Sequence, residues 1–191
     1  APSKISSAAI ANWARVLDAV QGARLLIKSA HLGDDAARSQ LMDRLTRAGI
    51  RREQVELRGR APDYADHLRF FAEADVLLDT YPHNGTTISC ESLWMGTPLI
   101  TCAGPCHLSR TGASILTAAG FPELIATSQQ QFVAIACALA LDRPRLKELR
   151  RTLRPRMAAS PLCDVPRFCR NLESALLGVW EQVKARSTPQ A

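Results

Sequence analysis

The chain has 191 residues, enough for one α/β domain with a substantial core. Hydrophobic residues make up 47% and charged residues 22%, which is ordinary globular composition and excludes a disordered or fibrous chain. No apolar run approaches the roughly 20 residues that a membrane span needs, and the net charge of +6 suits an anionic ligand, a nucleic acid or an acidic surface without choosing among them.

The first half of the chain alternates helical and strand patterns. Apolar residues recur at helical spacing in some segments and form short continuous runs in others. In chain order we predict helix 6–19, strand 24–28, helix 35–48, strand 55–59, helix 64–72, strand 75–79 and helix 88–95.

The second half continues the alternation and then becomes helical. We predict strand 98–101, helix 109–118 and strand 123–126, followed by a helix that Ser128 and Gln131 open as a capping box. Two further helices begin near Pro144 and Pro166, because proline is tolerated in a first helical turn.

This order predicts a doubly wound parallel sheet with helices on both faces, a Rossmann-like α/β fold. Ligands bind such sheets outside the carboxyl ends of the strands, which points to the loops after Lys28, Gly59, Asp79 and Thr101. We expect a single domain over residues 1–184, including the helices from about 144, and a frayed tail over 185–191. The opening residues lack the order of a signal peptide, so we expect a soluble, cytoplasmic protein.

The strongest local signal is DTYPHNGTTISCESLWMGTPLIT, residues 79–101. Asn84 and Gly85 bend the chain off a strand end, and Thr86 and Thr87 then offer hydroxyls and backbone amides at the start of a helix, which suits an anion. Glu91 follows Thr87 by about one helical turn and can reach a ribose hydroxyl beside a bound phosphate. A plain helix cap followed by a surface acid is the simpler alternative.

The segment NGTTISCESLWMGTP also resembles the diphosphate-binding loop and helix of the O-linked N-acetylglucosamine transferases, glycosyltransferase family 41. The resemblance extends through nearly the whole chain in the family's order. It includes SKISSAAIANWARVL, in which Lys4 stands nine residues before Trp13, and then HLRFFAEADVLLDT, SRTGASIL and the SPL at 160–162. The chain therefore resembles the C-terminal, nucleotide-sugar-binding lobe of a GT-B glycosyltransferase.

The resemblance assigns roles to particular residues. Lys4 would contact the diphosphate and offset charge on the departing UDP, which makes it the catalytic candidate. His67 would lie against the uracil, and a backbone group near Ala61 and Pro62 would read the uracil edge.

The remaining assignments fall on the motif at residues 79–101. Gly85, Thr86 and Thr87 would hold the phosphates, and Glu91 would hold the ribose. The sequence departs from the family pattern at Thr86, where histidine is common, at Ile88, where threonine is common, and at Glu91, where aspartate is common. Without a hydroxyl at Ile88, the phosphate grip depends more on the two threonines and the backbone amides.

The reaction that the resemblance implies is inverting transfer of N-acetylglucosamine from UDP-N-acetylglucosamine to a serine or threonine hydroxyl of a protein or peptide. It implies no metal and no other cofactor. The partners it implies are the N-terminal catalytic lobe and tetratricopeptide repeats of the same enzyme, so the fragment alone should bind nucleotide and catalyse poorly.

Two alternatives stay open. A protein N-glucosyltransferase would use UDP-glucose and asparagine, and the nucleotide-contacting residues cannot separate it from the first interpretation. A non-catalytic module that binds nucleotide or nucleic acid is the other. Against nucleic acid, only 5% of the residues are aromatic, and no stacking aromatics are interleaved with the basic residues. We therefore expect neither a nucleic acid nor a membrane as a partner.

Overall fold

The computed structural model describes residues 2–187. Five strands are formed: β1 (Leu25–Lys28), β2 (Val55–Arg58), β3 (Leu77–Leu78), β4 (Leu99–Cys102) and β5 (Ile125–Ala126). The α-helices are α1 (Ser7–Ala19), α2 (Asp35–Arg47), α3 (Tyr64–Arg69), α4 (Thr87–Trp94), α5 (Thr111–Ala119), α6 (Gln129–Leu141), α7 (Arg143–Ala158) and α8 (Val165–Ser187).

All the strand pairs in this part of the chain are parallel, as the alternation of helices and strands predicts. The strands hydrogen bond in two groups, β1 with β2 and β3 with β4 and β5. Leu25 lies opposite Val55 in the first group, and Leu77 lies opposite Leu99 in the second. Leu78 packs against the apolar cores of both groups, which joins them into one body.

Helix α1 shows how the sequence shapes that body. Its buried apolar residues form one broad stripe that contributes to both cores. Trp13 and Leu17 enter the core beside β1, while Val16, and Val20 just after the helix, enter the core beside β4. The helix therefore packs between the two strand groups. The Ser6 hydroxyl begins it by accepting a hydrogen bond from the Ala9 amide at 3.1 Å.

Several predicted elements differ in detail from the structure. The predicted strands 75–79 and 123–126 shorten to Leu77–Leu78 and Ile125–Ala126, and a 3-10 turn over Pro122–Leu124 takes up the start of the second. The predicted helix 64–72 is α-helical only through Arg69 and then tightens into a 3-10 turn over Phe70–Glu73, which buries Phe71. The predicted cap of α6 forms with Ser128 accepting from the Gln131 amide at 3.1 Å. The side chain of Gln131, however, accepts from the Thr127 amide at 2.7 Å instead of completing a capping box.

Helix α8 stands out because it buries none of its described side chains. Its predicted apolar face forms as expected, but Phe168, Leu172, Leu176 and Val179 are between 46% and 63% exposed. The helix continues to Ser187, and the rest of the predicted frayed tail, 188–191, lies outside the described residues.

None of the helices within residues 2–187 has both the length and the apolar character that a membrane span requires. The cytoplasmic location stays a prediction.

Candidate functional site

The site is built around the loop that leaves β3 and enters α4. Within it, the Thr80 amide donates to Asp79 Oδ1 at 2.9 Å, and Asn84 Nδ2 donates to the Thr80 carbonyl at 2.9 Å. The Gly85 amide returns to Asp79 Oδ1 at 2.8 Å. These bonds fold residues 79–85 into a compact turn that ends directly at the start of α4.

The loop is also tied to the next strand–helix unit. The Asn84 amide donates to the Leu108 carbonyl at 2.9 Å, and its side-chain oxygen accepts from the Gly112 amide at 3.4 Å. Asn84 is only 1% exposed, so these bonds are shielded from water. The N-terminal ends of α4 and α5 are thereby held together at the carboxyl edge of the sheet.

The N-terminus of α4 is open to a ligand. Thr86 and Thr87 are exposed, and Thr86 makes no side-chain cap, whereas side chains cap α1, α2, α3, α6 and α7. Among the described residues, the amides of Thr87 and Ile88 have no hydrogen-bond acceptor. Free amides at a helix N-terminus, together with its dipole, favour an anion.

A buried hydroxyl near this end of α4 also lacks a partner. Ser89 is fully buried, and its oxygen makes no hydrogen bond within residues 2–187. It lies so close to Gly85 that a Cβ added there would stand 2.7 Å from it. A side chain at residue 85 would therefore have to displace the Ser89 hydroxyl, which favours glycine at this turn.

Lys4 reaches this loop from the other end of the chain. Its ammonium donates to the Asn84 carbonyl at 3.3 Å. The residues that follow Lys4 are held in place. Ile5 is buried in the core, and its carbonyl accepts a hydrogen bond from Arg44. The Ser6 hydroxyl donates to the Tyr81 carbonyl. The predicted diphosphate-binding lysine thus lies beside the predicted diphosphate loop.

Glu91 and His67 form a second cluster one turn along α4. His67 Nε2 lies 3.0 Å from Glu91 Oε2, and the Tyr64 hydroxyl donates to Glu91 Oε1 at 2.9 Å. The hydrogen bond to Glu91 raises the pKa of Tyr64. The imidazole of His67 lies 5.8 Å from the Tyr64 ring at an interplanar angle of 20°, and its side chain is 24% exposed. Glu91 is therefore already hydrogen bonded to two side chains of α3.

Lys28 supports this cluster from the end of β1. Its ammonium donates to the His67 carbonyl at 3.2 Å and lies 4.3 Å from the centre of the Phe70 ring. Burial lowers the pKa of Lys28, and the charge of Glu91 opposes that shift. A positive charge therefore stands beside the carboxylate that is predicted to hold ribose.

Ala61 and Pro62 lie in the loop between β2 and α3, just before the Asp63 cap of α3. Within the described part of the chain, the backbone of Ala61 makes no hydrogen bond. It remains open to a base edge, as its predicted role requires. The structure brings Lys4 to the loop before α4 and His67 to Glu91, while the role of each residue in binding stays a prediction.

Sequence reasoning missed three residues that shape the site: Tyr64, Lys28 and Asp79. Tyr64 precedes His67 by one helical turn and could have been found from that spacing. Lys28 and Asp79 each stand at the carboxyl end of a predicted strand, where parallel sheets place their ligands. Attention to the strand-end residues themselves, instead of only the loops that follow, would have identified both.

No group of three or more histidine, cysteine, aspartate or glutamate side chains among residues 2–187 is arranged to hold a metal ion. The expectation of metal-free chemistry is untested by this observation.

Comparison with known proteins gives one family. The sequence pattern described as glycosyl transferase family 41 matches residues 3–172. A rice protein (Oryza sativa subsp. japonica), named "Probable UDP-N-acetylglucosamine–peptide N-acetylglucosaminyltransferase SPINDLY", is 38% identical over 180 residues, which are 94% of this chain and 19% of that protein. A Caenorhabditis elegans UDP-N-acetylglucosamine–peptide N-acetylglucosaminyltransferase is 30% identical over 183 residues, 95% of this chain and 16% of that protein.

A solved structure agrees with the sequence matches. A lysine-to-methionine mutant of the Thermobaculum terrenum O-GlcNAc transferase superposes with a TM-score of 0.91 at 33% identity, over 97% of this chain and 36% of that one. The chain spans about a fifth of the length of the first relatives and about a third of this neighbour.

Proposed function

Because this chain belongs to glycosyl transferase family 41, we propose that it forms the donor-binding lobe of a glycosyltransferase that transfers N-acetylglucosamine from UDP-N-acetylglucosamine to protein. The names of the rice and nematode relatives support the sugar and the peptide acceptor. The solved neighbour, an O-GlcNAc transferase, supports a serine or threonine hydroxyl as the group that is modified.

The observation that carries the proposal is the convergence of distant residues on helix α4. Lys4 lies against the loop that precedes the helix, and His67 contacts Glu91 within it. The open N-terminal end of α4 lies between these contacts along the chain. A diphosphate at that end would have amides, two threonine hydroxyls and an ammonium within reach, with a carboxylate one turn away for the ribose.

We assign the uracil to the His67 side of the site. The ring of His67 is partly exposed and has Glu91 at its edge, so a base lying on the ring would direct its ribose towards the carboxylate. Glu91 accepts two hydrogen bonds and has lone pairs left for ribose hydroxyls. The free backbone of Ala61 is then the group that reads the base edge.

In the proposed reaction the acceptor oxygen bonds to the anomeric carbon while the bond from that carbon to the β-phosphate oxygen breaks. Negative charge develops on the departing UDP, and the ammonium of Lys4 is placed to stabilise it. We assign no metal to this step. The group that takes the acceptor proton is assigned to the part of the enzyme outside this chain.

The rest of the enzyme also accounts for helix α8. An exposed apolar helix face of this length is unusual in an isolated domain. We propose that the N-terminal catalytic lobe, which precedes this lobe in the longer protein, covers it.

The test of this function uses the longer protein that contains this chain. We expect it to transfer sugar from UDP-N-acetylglucosamine to serine or threonine in a protein acceptor, measured by mass spectrometry of the acceptor. Lys4→Met should lower the turnover number by on the order of a hundredfold while changing the donor dissociation constant less than about tenfold, because charge stabilisation is needed most in the transition state.

Arg15→Met is the matched control, because Arg15 is an exposed basic residue of α1 that is assigned no part in the site. Transfer of glucose to asparagine instead would replace this function with that of an N-glucosyltransferase. If Lys4→Met had the wild-type turnover number, Lys4 would have no role in the chemical step.

A further inference from the structure

Asp79 is a buried carboxylate that the function described above does not use. It is 7% exposed and lies at the end of β3, below the loop that leads into α4. Its Oδ1 accepts from the amides of Thr80 and Gly85 at 2.9 and 2.8 Å. Its Oδ2 accepts from the Thr101 hydroxyl of β4 at 2.7 Å.

The surroundings of Asp79 are fitted closely to it. A Cβ added to Gly112, in the first turn of α5, would stand 2.6 Å from Asp79 Oδ2, so a larger residue there would displace the carboxylate. On the loop side, the positive charge of Lys4 favours its ionised form. The carboxylate therefore links β3, β4, α5, the loop and Lys4.

This arrangement costs stability. Burial raises the pKa of Asp79 to about 6, although the bonds from Gly85, Thr101 and Thr80 and the charge of Lys4 act in the opposite direction. Because the folded-state pKa lies above 3.8, the ordinary pKa of an aspartate, ionisation of Asp79 destabilises the fold as the pH rises from about 4 to about 6. Above that range the cost is fully present.

A group that weakens the fold when charged has a reason to be retained if its charge serves the site. The bond from Gly85 to Oδ1 sets the direction of the chain one residue before Thr86, so it determines where the free amides of Thr87 and Ile88 point. A carboxylate accepts such bonds more strongly than a neutral amide side chain.

We propose that Asp79 is a positioning residue for the donor diphosphate: its ionised carboxylate holds the Gly85 turn and the neighbouring Lys4 in the geometry that binds phosphate. The inference rests on the proposed function, since it takes the diphosphate as the ligand of α4. Asp79 itself does not touch the donor. Its effect is confined to the phosphate end of the site, away from His67 and Glu91.

The test is Asp79→Asn in this chain, with UDP and uridine binding measured by calorimetry or NMR titration at pH 8. The amide keeps the shape of the side chain and removes its charge. We expect UDP to bind about tenfold more weakly and uridine less than about twofold more weakly, because only UDP carries the phosphates. The melting temperature of the variant should rise at pH 8, and its advantage over the wild type should shrink at pH 5.

The directions of these two changes, weaker UDP binding and a higher melting temperature, separate a positioning role from a merely structural one. Loss of a structural bond would lower the melting temperature and weaken both ligands together. Removal of a negative charge near the diphosphate would, by itself, tighten UDP binding. Unchanged or tighter UDP binding in the variant would therefore overturn the proposal, and so would an equal loss for UDP and uridine.

Thr101→Val provides a second variant that should fold, since valine has nearly the shape of threonine and suits a buried strand. It removes one hydrogen bond from Asp79 and leaves the Gly85 bond, so we expect a UDP loss of about threefold with uridine unchanged. Ser92→Ala is the matched control. It removes a buried 2.7 Å bond to the Thr97 carbonyl at the far end of α4 and should change stability without changing the ratio of UDP to uridine affinity.

If the wild-type chain bound no UDP, that result would contradict both the proposed function and the role of Asp79. If the wild type bound UDP and Asp79→Asn bound it equally well, only the role of Asp79 would fall.

Discussion

Glu91 shows how a single side chain can be prepared for a ligand by its neighbours. The carboxylate is only 11% exposed and is held by the Tyr64 hydroxyl and His67 Nε2. These contacts restrict its rotamers before any ligand arrives, which lowers the entropy lost on binding. A ribose then has to share the carboxylate with Tyr64 and His67 instead of capturing a mobile side chain.

Glu91→Ala should therefore weaken binding of UDP more than binding of 2′,3′-dideoxy-UDP. The difference should be roughly 1.5 to 3 kcal/mol, the value of a hydrogen bond to a charged group, because the dideoxy analogue has no ribose hydroxyls for the carboxylate to bind. Competition titrations of both ligands on wild type and variant measure it.

Tyr64→Phe is the control for the surrounding cluster, since it keeps the ring beside His67 and removes the hydroxyl that donates to Glu91. It should weaken UDP binding by less than Glu91→Ala does. Equal losses of the two ligands in Glu91→Ala would show that the carboxylate acts on the shape of the site and not on ribose.

At the scale of elements, helix α7 is tied to the body by arginines that donate to carbonyls where other elements end. Arg150 donates to the Ala74 carbonyl after the turn at residues 70–73, Arg154 to the Trp94 carbonyl of α4 at 2.6 Å, and Arg156 to the Gly120 carbonyl after α5. Unpaired carbonyls at helix ends need such donors. Part of the chain's positive charge thus serves packing of α7 against its neighbours.

The junction between α4 and α7 depends on Gly96. Its φ is +81°, and an added Cβ would lie 3.0 Å from the Arg150 carbonyl oxygen. Gly96→Ala should therefore cost about 2 kcal/mol of folding free energy, from the left-handed backbone together with the close contact. Urea unfolding monitored by circular dichroism measures the loss.

Gly22→Ala is the matched comparison, because Gly22 has a φ of +76° and nothing within 4 Å of an added Cβ. It should cost about 1 kcal/mol, from the backbone alone. If the two substitutions cost the same, the contact with Arg150 would contribute nothing to the requirement for glycine at residue 96.

The elements were predictable because local rules determine them. Ser6, Ser128 and Asp142 cap the helices that follow them, and continuous apolar runs mark β1 and β4. The position of Lys4 beside Asn84, 80 residues away, was expected only through the family resemblance, since no local pattern encodes that distance.

Contacts that depend on tertiary packing could not be predicted. The hydrogen bonds of Asp79 join three elements, and the arginines of α7 find their acceptors only once α4 and α5 are in place. The same holds for the tightening of the chain at residues 70–73, which follows from burial of Phe71 in the folded body.

At the scale of the whole molecule, the chain is a well-packed α/β body that carries one exposed helix. The body holds two apolar cores joined through Leu78, and the proposed donor site lies where the carboxyl ends of the strands face α4 and α5. Helix α8, in contrast, exposes the apolar face that the rest of a longer enzyme would cover. Donor binding is therefore the part of the function that this chain should perform alone.

Calorimetric titration of the chain with UDP, ADP and GDP tests that claim most directly. We predict that UDP binds at a single site and that ADP and GDP bind at least about tenfold more weakly, because His67 and the backbone of Ala61 are proposed to recognise the ring and the edge of uracil. Equal affinity for the three nucleotides, or no binding of UDP, would contradict the assignment of this lobe to a uridine-nucleotide donor.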